Sequence, residues 1–402
     1  MPIESSTAHP SDAPSGETGA APATKKPSKR ALIIGSLVVG TVLAILLLGA
    51  AEIVLRMFRA APKPGSKVLS NELGWDRFPA TDPPIEATAS SPTPPIRLLC
   101  IGDSFTHNTA WTRLLVEELN RRGIAVTGWE AGVEGYGQVQ EAMKLEKLLP
   151  ELRPDIVVLL FFGWNDPRDN FPAPAITYNE HTMGRPYLAQ DERVEPPSRL
   201  GMEIRDSELF RALLERWWFR RTLDRTRRAM RESGPDPLAA NDDRHVAIYT
   251  DPKTWMPLYM PSKASSTYVE GAWRETKRAL EWIRSQCAER KVDLVVAAVD
   301  APFTIDRDVF DEHVAKDPMY RADDFDVDLP VKRFETLAES LGIASVSLVP
   351  AIRQLSRERG TKLYDGDPGN LTGHFLMEPQ QVMASTLADA IEARVRSSRR
   401  SP

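Results

Sequence analysis

The sequence predicts an α/β domain, a three-layer sandwich with a central, mostly parallel β-sheet, carried behind one N-terminal apolar helix. Three observations predict it. From Ile96 onward, short apolar runs alternate with segments of helical periodicity. One of those runs, IVVLLFF (156–162), is apolar at every position, as expected for a strand in the middle of a sheet covered on both faces. Ahead of them lies an uncharged run, ALIIGSLVVGTVLAILLLGAA (31–51).

At ~1.5 Å per residue that first run spans roughly 31 Å, close to a bilayer core of about 30 Å. It follows a tail, residues 1–30, rich in Ser, Pro, Ala, Thr and Gly and closed by Lys25, Lys26, Lys29 and Arg30. A tail of that composition cannot bury a core. A cleaved signal peptide has a shorter apolar region and a shorter leader. Residues 31–55 are therefore expected to form a transmembrane anchor. Arg56, Arg59, Lys63 and Lys67 follow the span, so the basic residues on its two sides nearly balance. The simpler arrangement is a cytoplasmic tail with an exported domain, periplasmic or extracellular. Residues 56–95 contain many prolines and end in SSPTPP, which reads as an extended spacer.

The domain itself is expected over 96–397. IRLLCI (96–101), bounded by proline and glycine, is a buried strand. Trp111 to Arg122 carries Leu114, Leu115 and Leu119 at helical spacing, GIAVTGWE (123–130) is a second strand, and 138–149 is helical. After the third strand, residues 167–262 break the alternation and read as an insertion over one end of the sheet. It holds one strong helix near 207–232, where Arg216, Arg220, Arg221, Arg225, Arg227 and Arg228 surround Trp217, Trp218 and Phe219. That helix suits a solvated face packed on the domain, a membrane surface or an acidic partner. The pattern resumes with helix 273–291, strand DLVVAAV (293–299), helix 331–342, strand IASVSLV (343–349) and a last helix from Pro379 to Val395.

Composition excludes several function classes. The net charge is -5, so no global basic footprint for nucleic acid exists. Cys100 and Cys287 are the only cysteines and fall inside predicted elements, as core thiols rather than a disulfide. No CxxC or HxxxH spacing is present, so neither a metal nor a cofactor is expected. GVEGYG (132–137) has the spacing GxxGxG and follows the second strand, unlike a dinucleotide fingerprint.

Ligands in open α/β sheets sit outside the carboxyl ends of the strands. Here the first strand ends on Gly102-Asp103-Ser104, the second on EAGVEGYGQ (130–138) and the third on Gly163-Trp164-Asn165-Asp166. One rim thus gathers a hydroxyl, a glycine-rich loop with free N–H groups and a carboxamide. These are the parts of an acyl-transfer site, nucleophile and oxyanion donors, lacking only a base.

GDSF at 102–105, the glycine of VEGYG, GWND at 163–166 and a late histidine resemble the four blocks of the SGNH (GDSL-like) hydrolase superfamily. The resemblance covers about 96–395 apart from the insertion. It implies a flavodoxin-like fold, with Ser104 as nucleophile, Gly135 and Asn165 as oxyanion-hole residues and His374 as general base. The fourth block departs from the family's Asp-x-x-His: Leu371 stands three residues before His374, and Pro379 replaces the later glycine. The acid is then Asp367, with Asp365 as the alternative, or a Ser-His dyad operates. Asp103, Trp164 and His107 are candidate substrate contacts; Asp166 is expected to fix its loop rather than titrate. His9, His181, His245 and His313 have no better context for the base. The implied activity is hydrolysis of an O-acyl or O-acetyl ester on a carbohydrate or lipid. The alternatives are an O-acyltransferase on an envelope polysaccharide, which needs an acyl-donating membrane partner, and an inactive glycan-binding domain.

Overall fold

A computed structural model describes residues 29–57, 61–70, 72–107, 109–171, 185–188, 194–195, 207, 256–314, 321–360, 362–365 and 373–398. The chain divides into two units, Met1–Arg59 and Ala60–Pro402. In the first, helix α1 (Lys29–Met57) contains the stretch Ile33–Met57, with a mean hydropathy of 2.6 and no buried side chains. By length and composition it is able to cross a membrane.

The second unit is built on a five-stranded parallel sheet in the order β4-β3-β5-β8-β9. Its strands are β3 (Ile96–Gly102), β4 (Val126–Glu130), β5 (Ile156–Phe162), β8 (Asp293–Val299) and β9 (Ala344–Ser347). β5 sits at the centre and is buried along its whole length, as its unbroken apolar run requires. Helices α3 (Trp111–Arg121), α10 (Val349–Arg359) and α11 (Met377–Ser398) pack together in one layer. Helices α4 (Gln138–Leu152), α6 (Thr267–Glu289) and α9 (Leu329–Ser340) pack in the other. The short strands β6 (Tyr187–Leu188) and β7 (Val194–Glu195) fall between β5 and β8 in the chain, and helices α7 (Pro302–Ile305) and α8 (Arg307–Val314) between β8 and α9. The alternation of β5 makes both layers: Phe161 stacks on Phe334 at 3.8 Å, while its neighbour Phe162 packs on Phe105 at 4.0 Å. Cys100 and Cys287 are buried and unpaired.

In chain order the sheet strands run 2-1-3-4-5, so the connection reverses direction between β3 and β5. That switch point opens a crevice at the carboxyl ends of these two strands. Gly102, the last residue of β3, pairs with Leu160, two residues before the end of β5, which brings the turn after β3 beside the end of β5.

Two expectations need correction. The stretch 56–95 is not an extended spacer throughout: β1 (Ser66–Ser70) and β2 (Gly74–Phe78) form an antiparallel hairpin. Its prolines lie outside 66–78, and the turn between the two strands is closed by Gly74, at φ 79°. Leu73 and Trp75 are 1% exposed and form a small second core with Val133 and Tyr136. Buried Arg77 binds Glu130 at 2.5 Å and also pairs with Asp82, and buried Lys144 binds Asp76 at 2.6 Å. Farther on, Ile85 bridges Gly128 and covers the outer edge of β4. The second correction is at 343–349, where the strand stops at Ser347 and α10 begins. Pro350 fits the first turn of that helix, Val349, Ile352 and Leu355 are its buried face, and Gly360 at φ 59° ends it. The insertion helix near 207–232 lies outside the described residues apart from Ser207.

Candidate active site

The turn after β3 is set by close packing. A Cβ on Gly102 would lie 2.3 Å from Thr106 Oγ1 and 3.1 Å from the Leu160 carbonyl, so only glycine fits. The chain turns at once into helix α2 (Ser104–His107), with Thr106 and His107 N–H donating to the Asp103 carbonyl at 3.1 and 3.0 Å. Asp103 Oδ1 accepts from Phe105 N–H at 2.8 Å. Ser104, half-buried, donates from Oγ to Asp103 Oδ2 at 3.4 Å.

Asp103 is 0% exposed, and its bonds all run inward. In the free protein this carboxyl serves the turn, through the Phe105 N–H. Burial pushes its pKa up to about 7, with the charge of Asp169 adding to the rise and the Phe105 N–H and Asn165 amide opposing it.

The loop after β4 extends the ladder along β3, with Ala131 N–H donating to Cys100 O at 2.8 Å and Val133 N–H to Gly102 O at 3.0 Å. This presses Gly132 against α2, where a Cβ would stand 2.5 Å from His107 N. Gly135 follows at φ 76°, in the left-handed region that glycine takes at no cost. After β5, Asn165 precedes the short helix α5 (Asp166–Asp169) and is 6% exposed. Its side-chain amide donates to Asp169 Oδ2 at 3.0 Å and also reaches Asp103. Asp166 Oδ2 accepts from Phe162 N–H at 2.8 Å and Gln138 Nε2 at 2.5 Å, the loop-fixing part expected of it. Trp164 packs on Phe162 at 6.1 Å with the Arg168 guanidinium 4.9 Å over its ring.

The last strand-end segment carries His374. Its ring centroid lies 4.9 Å from that of Phe105, the residue next to Ser104. Nε2 is buried with no hydrogen-bond partner among the described residues. Burial lowers the pKa of the imidazole below its ordinary 6.5, against the opposing charges of Asp365 and Glu134. Asp365 does not orient the ring by a hydrogen bond: its Oδ1 accepts from the His374 backbone N–H at 2.6 Å, and its own N–H donates to His374 O at 2.9 Å. Asp367 and Leu371 lie outside the described residues. Gln380, at the start of α11, accepts from Ala110 N–H at 2.6 Å and donates to Phe375 O, which ties the histidine segment to the nucleophile segment. His107 turns Nδ1 toward Glu130 at 3.8 Å, the carboxylate that Arg77 also holds. His9, His181 and His245 lie outside the described residues.

The geometry thus brings Ser104, Asn165 and the ring of His374 to the switch-point end of β3 and β5, with the Gly135 loop alongside. A family model for GDSL-like lipases and acylhydrolases matches residues 100–328, more than half of the chain. The chain belongs to the GDSL-like lipase/acylhydrolase family. It is by that membership an esterase of the SGNH/GDSL type. The match takes in Ser104, Gly135 and Asn165 and ends before His374. Among solved structures, a GDSL-like lipase from Bacteroides thetaiotaomicron is 11% identical, covering 74% of this chain and 88% of its own, with a TM-score of 0.31. An acetylxylan esterase from Geobacillus stearothermophilus is 13% identical, over 73% and 92%, with a TM-score of 0.36. A lipase/acylhydrolase from Enterococcus faecalis is 11% identical, over 74% and 96%, also at 0.36. No curated protein matches the chain.

Three further buried carboxyls of this esterase have raised pKa values, and two of them, Glu141 and Asp300, give no sequence signal of their own. Glu141, on α4, is fully buried and neither carboxyl oxygen has a hydrogen-bond partner among the described residues. Burial, then the charge of Asp103, drives its pKa well above the carboxylate range. Asp166 is raised by burial and by Asp103 and Glu141. Asp300, at the end of β8, is pushed up to about 7 by burial, against the Tyr259 hydroxyl that donates to it at 2.5 Å. A carboxyl with a raised pKa in the native state keeps its proton there while the unfolded chain loses it. Stability therefore falls as pH rises from 3.8, the ordinary aspartate value, through about 7. The unfolding midpoint is expected to be lower at pH 8 than at pH 5. Glu141→Gln should raise it more at pH 8 than at pH 5; equal shifts at both would contradict a buried neutral Glu141.

Proposed function

We propose that this family member is a serine esterase acting on an O-acyl ester, acetyl included, of a carbohydrate or lipid. The observation that carries the proposal is the meeting of Ser104, Asn165 and the His374 ring at one switch-point rim. In this reading His374 Nε2 takes the proton of Ser104 Oγ as the oxygen attacks the ester carbonyl carbon. The developing oxyanion is held by the backbone N–H groups of Ser104 and Gly135 and by the Asn165 amide. Asp169 takes one amide hydrogen of Asn165; the other, on the Asp103 side beside Ser104, is assigned to the oxyanion. Return of the proton to the alcohol oxygen expels it, and water then releases the acyl group from Ser104 by the same steps. Ser104 Oγ turns toward Asp103 in the free protein; such bonds commonly tighten only around substrate. Trp164 and His107 are assigned to the substrate side of the cleft. Asp367 remains the acid of the notional triad, with a dyad as the alternative, because Asp365 is engaged with the backbone.

The proposal includes the setting. Residues 31–55 anchor the chain, 1–30 form a cytoplasmic tail and 96–397, with the hairpin 66–78, form the exported catalytic part. The length and hydropathy of Ile33–Met57 support the anchor.

The full-length chain in detergent is expected to hydrolyse p-nitrophenyl acetate, and His374→Ala to lower kcat roughly 10⁴-fold. Because the imidazole pKa is lowered and the base must be neutral, the acid limb of kcat/KM should fall below pH 6.5. Full activity in His374→Ala would remove the base. Turnover that requires a sugar acceptor would point to acyl transfer instead.

A further inference from the structure

Arg185 belongs to the insertion, yet it is 5% exposed and reaches into the rim. One guanidinium nitrogen donates to Gln140 Oε1 at 2.8 Å. The other donates to the Gly135 carbonyl at 2.7 Å and lies 3.5 Å from Asp169 Oδ2. The guanidinium also sits 5.1 Å over the ring of Trp75. These partners come from different parts of the chain. Gly135 is in the loop after β4, and Asp169 Oδ2 is the same atom that holds the Asn165 amide. Gln140 donates in turn to Leu73 O in the hairpin turn at 2.7 Å. A buried guanidinium is expensive to desolvate unless acceptors surround it. Its planar fork serves several directions at once, which a lysine ammonium on a flexible stem cannot.

We propose that Arg185 is a positioning residue for the oxyanion hole: it holds the Gly135 carbonyl, on the same residue as the donor N–H, and holds Asn165 through Asp169, fixing the separation of two donors that lie on different loops. The insertion thereby supplies a part that the three strand-end loops lack. This rests on the esterase reading of Ser104, Gly135 and Asn165.

The test uses the full-length chain in detergent, with p-nitrophenyl acetate hydrolysis and backbone hydrogen–deuterium exchange read side by side. Arg185→Ala is expected to lower kcat roughly tenfold to a hundredfold, the scale of a misplaced donor, with KM changed less than about twofold. Arg185→Lys should recover only part of the loss. In an Asn165→Ala background the added loss from Arg185→Ala should be smaller than in the parent chain, because the part carried through Asp169 and Asn165 is already gone and only the Gly135 part remains. Exchange over 131–137 and 165–170 should rise in Arg185→Ala. Unchanged kcat, losses that multiply in full, or unchanged exchange would each overturn the proposal. The esterase reading fails differently: the parent chain hydrolyses no ester, or Ser104→Ala retains activity, and the exchange result still reports on the clamp by itself.

Discussion

Ser104→Ala is expected to lower kcat for ester hydrolysis by about 10⁴-fold or more and to leave the fold as it is. The two halves of that expectation come from different atoms. Turnover needs Oγ to form the acyl bond, and no neighbouring hydroxyl takes its place: Thr106 Oγ1 is packed inside, against Gly102. The fold depends instead on Gly102, which admits no side chain, and on Asp103, which bonds the Phe105 N–H and the α2 backbone. Oγ makes only a 3.4 Å contact to Asp103, so losing it should move stability by about 0.5 kcal/mol at most. Thermal unfolding followed by circular dichroism, beside the kinetics, checks both. A large drop in the unfolding midpoint would mean that Ser104 has a packing role and that lost activity is no evidence of a nucleophile.

Trp75→Ala should have the largest effect on stability, about 3–5 kcal/mol. The indole is 1% exposed, meets Tyr136 edge-on at 5.8 Å and donates from Nε1 to Glu134 O at 3.0 Å. Its backbone carbonyl accepts from the Tyr136 hydroxyl at 2.6 Å. Glu134 and Tyr136 bracket Gly135, so the same substitution should also cost activity. Trp75→Phe, which keeps the ring packing and loses the indole donor, is expected to recover most of the stability. An unchanged midpoint in Trp75→Ala would return residues 66–78 to the role of a spacer.

How much was legible beforehand follows the physics of each signal. The strands of the sheet were readable because buried parallel strands are apolar runs, and IVVLLFF and DLVVAAV were placed to the residue. The three strand-end loops were readable because Gly-Asp-Ser and Gly-Trp-Asn-Asp interrupt those runs abruptly. The hairpin was hidden by its composition: prolines at 62, 64 and 79 mark its borders, and a count over 56–95 averages them with the five-residue strands between. That Asp103 is buried was not legible, because exposure of a charged residue at a turn is the usual outcome. Arg185, Glu141 and Gln380 carry no local pattern at all; each gains its role from a partner far away in sequence. The one usable hint was Asp169, four residues after Asn165 and so one helical turn along from it.

The central claim, that Ser104 is a nucleophile activated at this rim, is tested most directly by covalent labelling. The full-length chain in detergent would be treated with a fluorophosphonate, digested and read by mass spectrometry. One phosphonyl adduct is expected, on Ser104, absent from Ser104→Ala and formed far more slowly in His374→Ala. A folded protein that takes no label, or takes it on another residue, would contradict it.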